Sequence, residues 1–248
     1  MSGDGGSASW ALRLHAVCEW IWFTALINLL WIAFTLAGLI VLGAAPATVA
    51  AVALTRRRLR GDRVRVVREF SRGWLNDFSA ANIVIGPALG LTALLLWGTT
   101  RQIAGAAPAL ATAATAIGFV FAFLLAAVLA PLYVNYDLPR GRYLLVASRW
   151  LLANLIHGVL LAIAAIAIIV ASFFLPGLIP VFSVGAWLVL STALCLGFFT
   201  ANDRRVAEQT AASTSAPRVS APASRTPVPS RTSSLTAASR ITTEGTSR

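Results

Sequence analysis

Lysine is absent from this chain of 248 residues: all twenty basic residues are arginine, set against nine acidic ones for a formal net charge of +11. Cysteine and histidine occur twice each. No Cys or carboxylate stands at ligand spacing from His157, and His15 lies on the other side of the first span, which argues against a metal centre. No nucleophile–base pair, Walker loop or dinucleotide fingerprint is present, so no cofactor is expected and no catalytic site can be assembled. Charge is the scarcest property of all. Only 12% of residues are charged while 58% are hydrophobic, far more apolar surface than a soluble domain of this size carries.

The charges that exist leave four runs without any, from Trp20 to Thr55, Phe78 to Thr100, Gln102 to Tyr136 and Trp150 to Asn202. A helix needs about 20 apolar residues to cross the hydrocarbon core. With the last run divided at Pro176, Gly177 and Pro180, five spans are expected, at about 20–42, 79–100, 110–133, 150–173 and 178–200. The fold class is therefore an all-α polytopic membrane protein. Residues 1–19 form an N-terminal segment, 20–202 the transmembrane domain, and 203–248, rich in Ser, Thr, Ala and Pro, a disordered cytoplasmic tail. The first apolar run is too long for the core of a signal peptide and is read as a retained span.

The arginines are unevenly placed: eight from Arg56 to Arg72, three at Arg140, Arg142 and Arg149, seven beyond the fifth span, and only Arg13 and Arg101 elsewhere. By the positive-inside rule the loops that keep them are cytoplasmic. The N-terminus then lies outside, unless the segment from Pro46 to Leu54 re-enters the membrane and brings it to the arginine side.

After the arginine run, residues 63–78 fit a helical period, with Phe70, Trp74 and Phe78 on one face and Arg65, Arg68 and Arg72 on the other. The pattern predicts an amphipathic interfacial helix, its aromatics in the inner leaflet and its arginines at anionic headgroups. Together with Pro46, these residues are the candidate membrane-interface or partner-contact set. Nucleic acid is not an expected partner, because aromatics buried on the apolar face are unavailable for base stacking. Within the spans the polar candidates are Asn154 and His157, three residues apart on one helix face, read as a pair hydrogen-bonding to a neighbouring helix or a backbone carbonyl. Gly86 and Gly90 form a GxxxG, and Ala114, Gly118, Ala122, Ala126 and Ala130 a small-residue stripe, which together suggest close pairing of the second and third spans.

Asn28-Leu29-Leu30, the turn Leu42-Gly43-Ala44-Ala45-Pro46-Ala47-Thr48, Arg60-Gly61-Asp62, then Phe70, Trp74, Phe78 and Asn82, with Pro131-Leu132-Tyr133 and Tyr136-Asp137 further on, resemble the YesL-like family of bacterial integral membrane proteins. The likeness covers about residues 15–200, and the chain departs from the family pattern at Ser71 and in its long tail. Members of that family have no established molecular function. They are commonly encoded beside sugar transporters of the ATP-binding-cassette type and glycan-degrading enzymes, so the resemblance implies an accessory to carbohydrate uptake in the bacterial cell membrane, with a sugar permease as partner besides the lipid bilayer. The alternatives are a small solute transporter or channel, and a membrane scaffold recruiting a soluble partner.

Overall fold

The structure is a computed structural model that describes residues 4–174 and 182–215. Nine α-helices and one 3-10 turn make up those residues, with no strand among them: α1 (Asp4–Ala37), α2 (Val41–Leu59), α3 (Val66–Asn76), α4 (Phe78–Val84), α5 (Gly86–Ala104), α6 (Ala109–Asn135), the 3-10 turn Arg140–Arg142, α7 (Tyr143–Ala153), α8 (Leu155–Phe174) and α9 (Val184–Ser215). The chain divides into two units, Met1–Val206 and Ala207–Arg248. The first holds everything described below; of the second, the described residues 207–215 are helical.

Four helices are long and apolar enough to cross a membrane: α1 over Arg13–Ala37, α6, α8, and α9 over Val184–Ala211. The pair α4 and α5, bent by 53° at Ile85, makes a fifth if counted as one span. Their outward faces carry side chains such as Ile163, Ile166, Ile169 and Phe173 on α8, all exposed, which suits them to lipid. The expected disorder from residue 203 is not found as far as Ser215: α9 continues through Arg204, Arg205, Ala207 and Glu208, residues that favour a helix. The rest of the tail and the dividing residues Pro176, Gly177 and Pro180 lie outside the described residues.

At the centre stands α2. Eleven of its residues are buried, from Gly43 to Thr55, and α1, α3, α4, α5 and α6 all pack on it. It runs antiparallel to α1: Arg58 reaches Glu19, its guanidinium 3.5 Å from the carboxylate, while Trp31 Nε1 donates to Thr48 Oγ1 at 3.0 Å. At the tip a Cβ on Gly38 would land on the Gly43 backbone, and one on Gly43 would sit 2.5 Å from the Thr35 carbonyl oxygen. Only glycines let the two helices approach this closely. The chain reverses through Ile40, held at φ 65°, ψ −63°, with Val41 N–H donating to the Leu39 carbonyl at 2.7 Å; this is the strained form of the γ-turn.

This hairpin corrects the expectation that the N-terminus lies across the membrane from the arginines. Glu19, Trp20 and Phe23 all meet Arg58, so the start of the membrane part of α1 and the arginine end of α2 share one face. Pro46 to Leu54 is part of a returning helix in the core, in line with the re-entry left open above.

The proline in α2 has a visible compensation. Pro46 has no N–H, which leaves the carbonyl four residues earlier, Leu42, without its helical donor. Asn82 Nδ2 donates to that carbonyl at 2.9 Å, and Trp74 Nε1 donates to the neighbouring Gly43 carbonyl at 3.4 Å. A second side chain of α1, Asn28, is fully buried and accepts from Gly185 N–H at 2.8 Å, tying α9 to α1. A Cβ on Gly185 would lie 2.8 Å from Asn28 Cβ and press on the Thr24 carbonyl.

α5 and α6 form an antiparallel hairpin, with Thr115 Oγ1 donating to Gln102 Oε1 at 2.9 Å near its turn. Gly118 faces Leu95 across it, whereas a Cβ on Gly90 would meet nothing within 4 Å. The GxxxG at Gly86 and Gly90 is therefore not a close-packing groove, and of the α6 small-residue stripe Gly118 is the member that meets α5.

Candidate functional site: the arginine-face cleft

Where α2, α4 and the end of α6 come together, a cleft of about 560 Å³ opens on the arginine face. Tyr133, Tyr136 and Tyr143, the only three tyrosines of the chain, all line it. Its polar rim includes Asp77, Asn135, Asp137 and Arg140, and its floor Val49 and Ala53 of α2.

The tyrosines hold the cleft in shape. Tyr143 is buried, donates to the Tyr136 carbonyl at 2.8 Å and accepts from Leu138 N–H at 2.9 Å, pinning the loop that leaves α6. Tyr133 packs its ring 5.3 Å from that of Tyr143 and places its hydroxyl 3.4 Å from Asp77 Oδ1. Tyr136 donates toward both Asp203 oxygens at 3.1 Å and packs edge-on against Phe199, joining the loop to α9. Burial, then the Asp203 carboxylate, pushes the Tyr136 phenol above its ordinary pKa, so it remains a hydrogen-bond donor throughout the physiological range. Asp137 and Arg140 are exposed at the rim. Aromatic faces, carboxylates, an amide and a guanidinium around one opening suit a polar, hydroxyl-bearing group or a peptide loop.

Beside the cleft the arginine end of α2 is tied down. Arg57 pairs with Glu69 on α3 and lies 3.8 Å from Asp62; Glu69 also accepts from the Arg65 N–H at 3.1 Å, closing the start of α3. Arg58 lies over Trp20 and Phe23, 5.1 and 4.7 Å from their ring centres.

Arg65, Arg68 and Arg72 are exposed on the outer side of α3, which is amphipathic as its pattern predicts. Its aromatic side packs on protein at Phe70, whereas Trp74 and Phe78 are half-buried, so the expected insertion in lipid does not hold for Phe70. Phe70 is fully buried with its ring 5.2 Å from Phe34, and Trp74 lies between Phe34 and Phe78 at 5.4 and 4.9 Å. The candidate set is thus split: Pro46, Phe70, Trp74 and Phe78 build the hairpin's packing, and the three arginines alone face outward. Asn154 sits at the break between α7 and α8, its side chain donating to the Trp150 carbonyl at 3.0 Å. His157 stacks on Trp150 and lies 4.0 Å from the Phe198 ring, with its Nδ1 buried and unpartnered. The two are neighbours along one chain turn but do not form a joint site. Among the described residues no group of three His, Cys, Asp or Glu side chains could hold a metal.

Sequence reasoning missed the tyrosine cleft, although one signal was available: the chain's whole tyrosine content falls between residues 133 and 143.

A helical bundle with several apolar spans and a polar cleft at one end is a multi-pass membrane protein. The family described as "Protein of unknown function, DUF624" matches residues 24–99, which run from mid-α1 through the hairpin and α3 to α5. Three proteins of Bacillus subtilis strain 168, each described as uncharacterized, are similar: YteU, 32% identical over 176 residues that cover 69% of this chain and 78% of YteU; YesL, 27% over 201 residues, 80% and 95%; and YesV, 32% over 136 residues, 53% and 64%. The chain belongs to this DUF624, or YesL-like, family. No solved structure matches it.

Proposed function

We propose that the protein is an accessory component of a carbohydrate uptake system in the bacterial cell membrane, contacting a sugar permease of the ATP-binding-cassette type through its arginine face. The observation that carries the contact is the tyrosine-lined cleft, the one place where carboxylate, amide, phenol and guanidinium groups surround a single opening among the described residues. The link to sugar rests on the family resemblance. The stretches 20–42, 79–100, 110–133, 150–173 and 178–200 carry no Asp, Glu or Arg, which suits a protein that does not couple transport to an ion gradient itself. The arginine face is assigned to the cytoplasm, and the C-terminal tail with it. With the N-terminus returned to that face by the hairpin, Arg101 is the one arginine among the described residues left on the other side.

Deleting the gene should slow growth on one oligosaccharide or glycan breakdown product and leave growth on glucose unchanged. Asp137→Ala with Arg140→Ala, both exposed at the cleft rim, should reproduce the deletion while the protein still accumulates in the membrane. Normal growth of the deletion strain on every carbohydrate tested would reject the reading.

A second reading, facilitated passage of a small neutral solute, draws on an internal cavity of about 200 Å³ lined by Trp31, Phe123 and Trp187 with the hydroxyls of Thr48, Thr92 and Ser191. Sugar flux into liposomes holding only this protein would favour it; the accessory reading expects none.

A further inference from the structure

The arginine end of α2 carries four guanidinium groups, and the structure treats them differently. Arg57 and Arg58 point to carboxylates, Glu69 with Asp62 and Glu19 respectively. Arg56 and Arg60, one helical turn apart and so on one face, line a separate cavity of about 300 Å³ toward α9 that contains no carboxylate. Arg56 is anchored there: its Nη1 donates to the Val134 carbonyl at 2.7 Å, and its Nε is buried with no partner. Burial, and then the like charge of Arg60, lower the Arg56 pKa, so its environment disfavours the cation that it nonetheless carries. A desolvated guanidinium without a counter-charge is costly unless an anion completes it.

The other wall is apolar. Leu196 and Gly197 of α9 line the cavity, and a Cβ on Gly197 would meet nothing within 4 Å, so there is open space beside the two guanidinium groups on the α9 side. Asn135 and Thr200 line the same cavity.

We propose that Arg56 and Arg60 form a binding site for a phosphate oxyanion, held by charge-assisted hydrogen bonds from the outer edges of the two guanidinium groups, with the Leu196–Gly197 wall receiving an acyl chain when the phosphate is that of an anionic lipid. Guanidinium geometry matches phosphate oxygens better than an ammonium does, and an anion here neutralises the pair that no carboxylate reaches. The site adjoins the tyrosine cleft, with which it shares Asn135, and does not depend on the carbohydrate reading.

The test uses the full-length protein in a neutral detergent, with retained lipid read by native mass spectrometry and affinity by titration with short-chain phosphatidylglycerol. One lipid should bind the wild type, and Arg56→Gln with Arg60→Gln should weaken it about tenfold or more. Arg65→Gln with Arg68→Gln removes the same charge from an exposed face and should leave binding within about twofold. Arg60→Gln alone, which leaves the Arg56 anchor to Val134 intact, should still weaken binding several-fold, so a folding defect in the double variant does not decide the matter. Inorganic phosphate that displaces the lipid and saturates the site alone would identify free phosphate as the ligand; lipid binding unaffected by phosphate would identify the headgroup. Equal binding by wild type and both Arg60 variants, or an equal loss in the Arg65/Arg68 control, would overturn the site.

Discussion

At the scale of single residues, the positions that carry the family resemblance turn out to be structural partners. Pro46 and Asn82 are the clearest pair, because the carbonyl that the proline leaves without a donor is the one that Asn82 reaches. Restoring an N–H at position 46 should make the asparagine dispensable. Asn82→Ala alone should cost about 1 kcal/mol, the usual worth of a side-chain hydrogen bond in membrane proteins, and distinctly less in a Pro46→Ala background. A double-mutant cycle on unfolding in mixed micelles reads the coupling, and equal costs in the two backgrounds would refute the compensation. Gly43 and Gly185 make a second residue-scale prediction. Neither has room for a methyl group, since the obstacles are backbone carbonyls that do not move aside. Gly43→Ala and Gly185→Ala should each lower thermal stability by several degrees, whereas Gly197→Ala, in open space, should not.

At the scale of elements, the apolar runs were legible in the sequence because length and absence of charge are enough to mark a span. What covers an amphipathic face was not. Phe70, Trp74 and Phe78 recur at a helical period whether the opposite surface is lipid or protein, and the period carries no information about which. The deciding fact is Phe34, which lies in α1 and meets both Phe70 and Trp74; only the reversal at Ile40 brings the segments together. α2 was hidden for a related reason, as its arginine end and its proline make it look unlike a core helix although it is the most enclosed one. The bend at Ile85 and the break at Asn154 were equally invisible, since apolar side chains continue through the first and a single asparagine gives little sign of the second. Because Phe70 is buried against protein, Phe70→Ala should destabilise by about 3 kcal/mol or more, the range for a large core truncation. Arg68→Ala, on the exposed side of the same helix, should change stability by less than about 0.5 kcal/mol. Similar effects of the two in a chemical unfolding series would return the aromatic face to the lipid.

At the scale of the whole molecule, the α1–α2 hairpin decides how many times the chain crosses the bilayer. From Trp20 to Ala37 and back from Val41 to Thr55, its arms are about 26 and 21 Å long at 1.5 Å per residue, short of a hydrocarbon core of about 30 Å. Its tip offers water nothing: Leu39, Ile40, Val41 and Leu42 are all exposed and all apolar. Arg56 is level with Val134, so at equal rise the tip comes level with about residue 119 of α6, leaving the first turns of that helix to continue beyond it. Measured from Trp20, these dimensions suit a hairpin that enters from the arginine face and returns from within the bilayer, whereas α1 counted from Arg13 is long enough to cross; Asn82 and Trp74 add donors to its backbone carbonyls. In a variant lacking Cys18 and Cys195, single cysteines placed at Leu14 and Gly141 should therefore resist an impermeant maleimide in intact cells and react in inside-out vesicles, while one at Gly105 does the reverse. A cysteine at Ile40 should react in neither. Labelling of Ile40 from the Gly105 side would make α1 and α2 two complete crossings, and labelling of Leu14 in intact cells would separate the N-terminus from the arginine face altogether.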